Sequence, residues 1–234
     1  MSDPALPSTR GARRLALLFA ATAALVVAGL AVPQAAHAAV INVADETQLQ
    51  NAANAAVAGD TINITTDIAL LGPVTFPTGV IIQGSGPGID ISRANNAAYH
   101  LFLFAPTAVS QEYTVQNLAF DGSIGDGSAV VLVDGANDVA DATFTNVSVH
   151  DFTAGALSAI YVERMTSEFT VDGGSTFADN ESVTGNGGAI GGTFFNAIIQ
   201  IQDSTFSGNR AGGAGGAVYL NGDNAFTVDV DDTT

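Results

Sequence analysis

The chain has 234 residues, 23 acidic against six basic, a formal charge of −17, and neither cysteine nor lysine. That composition excludes disulfides, Cys-based metal sites and thiol nucleophiles. It also argues against nucleic acid as a partner, because phosphate binding needs a basic stripe.

Residues 1–38 read as an export signal. Arg10, Arg13 and Arg14 precede an apolar run from Leu15 to Val32, then Pro33 and the small-residue tripeptide Ala36-His37-Ala38. These are a positive n-region, an h-region and an A-x-A cleavage site. Cleavage after Ala38 starts the mature chain at Ala39; the competing reading is an uncleaved anchor, since the run is near the lower limit for spanning a bilayer. Arg13-Arg14 leaves a twin-arginine route open. Removing the leader takes away three Arg and Asp3, leaving 22 acids against three Arg, a charge of −19. Such acidity suits an extracellular protein that resists self-association, and leaves a salty habitat or calcium binding open.

Residues 39–60 are expected to form a strand and a helix. Val40–Val43 is the strand. Asp45 and Gln48 have capping-box spacing, and Leu49, Ala52, Ala53, Ala56 and Val57 share one helical face. Gly59 is the expected C-cap. A solenoid's first coil exposes an apolar end that needs a cap, and this helix is placed to cover it.

Residues 61–234 alternate short β-branched or aromatic runs with Gly, Asn, Asp and Ser clusters, the pattern of strands and turns. Ile62–Ile64, Ile68–Leu71, Val80–Gln83, Ile89–Ile91 and Leu101–Phe104 are the early strand candidates. Gly84–Gly88 reads as a turn; it lacks the lysine and following helix of a phosphate loop.

From there the chain repeats itself. Phe120, Val149, Phe177 and Phe206 follow at spacings of 29, 28 and 29. A second column, Ala129, Ala159, Ala189 and Ala217, precedes Val130, Ile160, Ile190 and Val218. A third holds Val115, Phe144, Val171 and Ile201. The last two copies agree most closely: STFADNESVTGNGGAI at Ser175–Ile190 and STFSGNRAGGAGGAVY at Ser204–Tyr219. A sustained period of this length, with three short strands per copy and no helical pattern after Ala58, predicts a right-handed parallel β-helix. Coils of about 28–30 residues then stack at roughly 4.8 Å. Asn180 and Asn209 are expected to form an amide ladder at a turn, where Asn tolerates left-handed backbone.

Ala44–Ile64 resembles the opening segment of pectin-lyase-like β-helix proteins, which begin with a small helix and a Gly-Asp-Thr-Ile lead into the first coil. Gly187–Ile190 with Phe177–Asn180, and Gly215–Val218 with Phe206–Asn209, resemble polymorphic outer-membrane protein repeats. The resemblance implies a secreted or surface-displayed β-helix serving adhesion or cell-envelope interaction, with a surface glycan or protein as partner. Such motifs specify fold and carry no chemistry.

The alternative is a carbohydrate-active enzyme, a polysaccharide lyase or glycoside hydrolase. The lyase signature needs Lys, which is missing, and the mature arginines are only Arg93, Arg164 and Arg210. Arg210 reads as a solvated loop charge. Of the hydrolase signatures only Asp231-Asp232 is present, in the repeat register of Asp203. The carboxylate pairs Asp121 with Asp126, and Asp134 with Asp138, have the right chemistry for glycoside hydrolysis but equally the character of solvated turns. His100 and His150 lack a convincing partner and read as structural. No residue is therefore assigned a catalytic or cofactor-binding role, and calcium is left open without a nominated site. Thr205 and Thr234 are 29 apart, so the chain is expected to break off in mid-coil, as a piece of a longer protein or with its open end covered by self-association.

Overall fold

The computed structural model describes residues 38–234, apart from 87, 109, 134–138, 195–196, 223–226 and 232; side chains of 139, 140, 164 and 166 are also left aside. The expected export signal, save Ala38, lies outside the described residues.

β1 (Val40–Val43) leads into α1 (Glu46–Ala55), the one helix among the described residues. Asp45 caps it, its Oδ1 accepting from the Gln48 amide at 2.8 Å, while Gln48 Oε1 accepts from the Ala44 amide at 3.0 Å. Leu49, Ala52, Ala53 and Ala56 are buried, as the periodicity predicts. The helix stops earlier than expected, however. Ala56 is the C-cap and already extended, so Val57 lies beyond the apolar face and is 56% exposed. Gly59, with φ of 87°, serves the turn after the helix rather than its cap. The buried face packs against the first coil. No helix among the described residues is long and apolar enough to cross a membrane.

Strands then recur in triplets. The early coils hold β2 (Thr61–Ile64), β3 (Ile68–Leu70), β4 (Val74–Phe76), β5 (Ile81–Gly84), β6 (Ile89–Arg93) and β7 (Phe102–Phe104). Next come β8 (Gln111–Gln116), β9 (Leu118–Asp121), β10 (Val130–Leu132), β11 (Val139–Thr145), β12 (Ser148–His150) and β13 (Thr153–Ala154). β14 (Ile160–Asp172) runs without a break from one face to the next, and is followed by β15 (Thr176–Ala178), β16 (Glu181–Ser182) and β17 (Ile190–Phe194). β18 (Ile198–Gln202), β19 (Thr205–Ser207), β20 (Arg210–Ala211), β21 (Val218–Asn221) and β22 (Thr227–Asp231) complete the described chain.

Every pairing among the described strands is parallel and joins one coil to the next, which makes the molecule an all-β parallel β-helix. One face carries β1, β2, β5, β8, β11, the second half of β14, β18 and β22. A second carries β3, β6, β9, β12, β15 and β19. The third carries β4, β7, β10, the first half of β14, β17 and β21. A short fourth ladder, β13–β16–β20, fills a corner.

The repeat columns are the rungs. Phe120, Val149, Phe177 and Phe206 pair in succession, and so do Val115, Phe144, Val171 and Ile201. Thr234 bonds back to Ser204, its amide donating to the Ser204 carbonyl at 3.0 Å, so the repeat register holds to the last residue. Inward side chains from all three faces form one core, from Val43 to Ile201, with aromatic contacts running along the axis. Phe144, Phe169 and Phe194 lie at successive centroid distances of 5.7 and 5.8 Å, and Phe177 stacks on Phe206 at 4.8 Å. Rings at these separations bury large apolar area and keep favourable edge or offset contacts.

The early coils depart from the expected length. Ile62 pairs with Ile82, and Ile82 in turn with Val115, so one early coil is shorter than the later repeat and the next is longer. β4 has no counterpart among the early candidates, because Pro73 and Pro77 bound its three residues and read as loop punctuation. The Asn ladder is correct, but its backbone expectation is not. The left-handed residues are Asp179 at φ 53° and Gly208 at φ 64°, each one position before the asparagine.

Candidate functional site

Parallel stacking turns repeat period into proximity. Asp121 ends β9 and His150 ends β12 on the next coil, and the register places them side by side. Asp151 follows with φ of 60°, which turns its carboxylate toward its neighbour, so that Oδ2 lies 3.0 Å from His150 Nδ1. One ligand atom from each of Asp121, His150 and Asp151 falls within 4.8 Å of the others. Among the described residues this is the one such group of metal-ligating side chains.

The surroundings are strongly acidic. Asp90, one coil earlier, has its carboxyl raised above the usual range by burial and by Asp67, and further by Asp121, with His150 opposing. Asp121 Oδ1 already accepts from the Ser123 amide at 2.8 Å, which fixes the carboxylate. Two carboxylates and an imidazole have the donor chemistry for a divalent cation, but Ca²⁺ takes six to eight oxygens. Three protein ligands on an open face leave most of that sphere to water, and an ion would sit loosely.

The other anticipated groups divide. The backbone of Asp126 makes an isolated bridge to Thr153, and its carbonyl accepts from the Tyr99 amide. Asp134, Asp138 and Asp232 lie outside the described residues, and Arg164 is placed only as backbone in β14. Arg210 is not a free loop charge: it lies in β20 and its Nη2 meets Glu181 Oε2 at 2.9 Å across the rung. Exposed pairs of this kind contribute little. His100 accepts from the Ser128 amide through Nδ1 at 3.2 Å. Burial, and then Arg93, hold it below its ordinary range.

Arg93 is the residue that sequence reasoning missed. It is 1% exposed, and its Nε and Nη1 donate to the Tyr99 and Ile124 carbonyls at 3.0 Å. Its guanidinium lies 5.7 Å from the Tyr99 ring and 5.2 Å from the Phe152 ring. The buried cation is thus held by carbonyls and ring faces, an arrangement suited to a planar, weakly hydrated guanidinium. It locks the irregular 94–100 connection to the coil above.

The coil from β19 to β21 is where comparison with known proteins finds a likeness. Residues 203–221 match the Chlamydia polymorphic membrane protein (Chlamydia_PMP) repeat. The match contains Phe206–Asn209 and Gly215–Val218, the residues that build the Phe rung, the Asn ladder and the tight turn before β21. Neither curated proteins nor solved structures give a match. Over those residues the chain is similar to a polymorphic membrane protein repeat, and the parallel β-helix in which they sit fits a repeat of that type.

Proposed function

We propose that this protein is an exported, non-catalytic β-helix that acts at the cell surface or in the extracellular space through adhesion or cell-envelope interaction. The observation that supports this reading most strongly is the membrane-protein repeat at residues 203–221, seated on a regular coil of the solenoid. Stacked coils offer long, rigid faces on which side chains recur at fixed spacing, and such surfaces serve extended contact. The partner is a surface glycan or protein; the acidity of the chain disfavours polyanions.

Attachment of beads coated with the full chain to intact cells, against beads coated with an acidic globular protein of equal charge, tests the reading. Specific, saturable attachment is expected. Equal attachment of both beads removes its support.

A further inference from the structure

The outward side chains of the third face are not uniform. Down one column, paired residues run Leu103, Val131, Tyr161, Gly191, Tyr219. Two tyrosines therefore occupy rungs on either side of a glycine, two strand spacings apart, or about 9.6 Å. Beside them opens a cleft of about 210 Å³, lined by Tyr161, Tyr219, Asn186, Gly192, Thr193 and Asn221, among others.

The glycines make this shape. A Cβ at Gly191 would run into the Ser158 hydroxyl and then meet the Asn186 carbonyl oxygen at 2.8 Å, so glycine lets both Ser158 and the Gly185–Asn186 turn pack over this rung. A Cβ at Gly192 would run into Val162 of the coil before it.

The polar groups point to a ligand rich in hydroxyls. Asn186 Oδ1 accepts from the Ala214 amide at 2.6 Å, which fixes its amide plane. Its Nδ2 has no partner among the described residues, and neither do the Tyr161 and Tyr219 hydroxyls, Thr193 Oγ1 or the Asn221 amide. The residues that line the cleft thus offer five donor–acceptor groups beside two tyrosines. Small-molecule sites combine such surfaces with a few placed polar groups. With Ser158 and Asn186 packed over the Gly191 rung, a flat sugar ring would lie against a tyrosine face rather than between the two, at roughly 3.5–4.0 Å. None of the lining residues is cationic, and Glu163 stands two residues along β14 from Tyr161. An anionic ligand is therefore disfavoured.

We propose that the Tyr161–Tyr219 cleft binds one ring of a neutral glycan. This deepens the surface-interaction reading above and rests on it for its biological meaning, though not for its chemistry.

The test uses the full chain with cellohexaose, mannohexaose and N-acetylchitohexaose, and with oligogalacturonate as the anionic comparison, followed by saturation-transfer NMR and calorimetry. At least one neutral hexasaccharide is expected to bind, with loss of about tenfold or more in Tyr219→Ala and near-retention in Tyr219→Phe, as stacking energies predict. Should Tyr219→Ala fail to fold, Asn221→Ala and Thr193→Val at the rim carry the same expectation of weakened binding. No binding of any neutral sugar, preference for oligogalacturonate, or binding unmoved by these substitutions overturns the proposal. Bead attachment is run in parallel. Wild-type and Tyr219→Ala beads attaching equally well would defeat the glycan cleft while leaving the surface reading intact. Sugar binding without bead attachment would defeat the surface reading alone.

Discussion

Asn180 and Asn209 occupy successive coils and make the same bonds. Asn180 Nδ2 donates to the Val149 carbonyl at 2.9 Å, and Asn209 Nδ2 donates to the Phe177 carbonyl at 2.8 Å. Each amide oxygen accepts a backbone N–H from the coil before: Phe152 to Asn180 at 3.2 Å, Asn180 to Asn209 at 3.1 Å. The two side chains are linked to each other at 2.9 Å. Each asparagine therefore closes the corner of the preceding coil.

Because Asn180 is fully buried, Asn180→Ala strands a buried N–H and a carbonyl. A loss of about 2–4 kcal/mol is expected from two orphaned groups, with Asn209→Ala costing about 1 kcal/mol because it is partly solvated. Urea unfolding midpoints at constant slope measure both. Equal, small losses would mean that the ladder follows the fold rather than holding it.

The aromatic rungs allow a similar comparison. Phe169 is fully buried between Phe144 and Phe194, so Phe169→Ala should cost about 3–5 kcal/mol through lost burial and a cavity. Ile198, one rung on from Glu168 and 46% exposed, faces outward. Ile198→Ser should stay within about 0.5 kcal/mol. Thermal and denaturant unfolding of both variants check the contrast.

His100 gives a pH signature. Burial, with Arg93 second, lowers its pKa from 6.5, so the folded protein resists a proton that the unfolded chain accepts. Stability from this site is complete above the unfolded value and declines as pH falls from about 6.5 toward the folded pKa. His100→Gln should flatten that part of the stability–pH curve. A wild-type-minus-variant difference that does not change below pH 6.5 would contradict the assignment.

Asp60 anchors the start of the solenoid. Its Oδ2 accepts from the Val57 amide at 2.9 Å and its Oδ1 from the Ala39 nitrogen at 2.7 Å. These two bonds hold its carboxyl below the usual 3.8, outweighing burial. Its contribution is present above the unfolded value and is lost as pH falls through the folded pKa. In a chain cut after Ala38, the Ala39 nitrogen is an ammonium, and the bond becomes charge-assisted. Asp60→Asn should therefore destabilise a chain beginning at Ala39 more than one that retains its leader, as paired melting curves would show. Equal losses would leave the ammonium no role.

Much of this architecture is legible in the residues, because a parallel solenoid writes contacts directly into sequence period. Phe177 and Phe206 announce their stacking by a spacing of 29. Asp121 and His150 have the same spacing, so their proximity was present in the pattern, although polar rung positions vary too much to display a column. Two features were hidden. Arg93 belongs to an early coil of irregular length, where no repeat fixes its partners, and a lone arginine reads as a surface charge. The Tyr161–Tyr219 cleft depends on what lies between its tyrosines, and a glycine on a strand declares its neighbours only after the register is known.

A location outside the cell membrane underlies every functional proposal for this β-helix, and surface labelling of intact source cells decides it. Antibody against the solenoid, with external protease as a second probe, should label unpermeabilised cells or recover the protein from the medium. Labelling only after permeabilisation, with the chain shielded from external protease and its leader intact, would contradict that location.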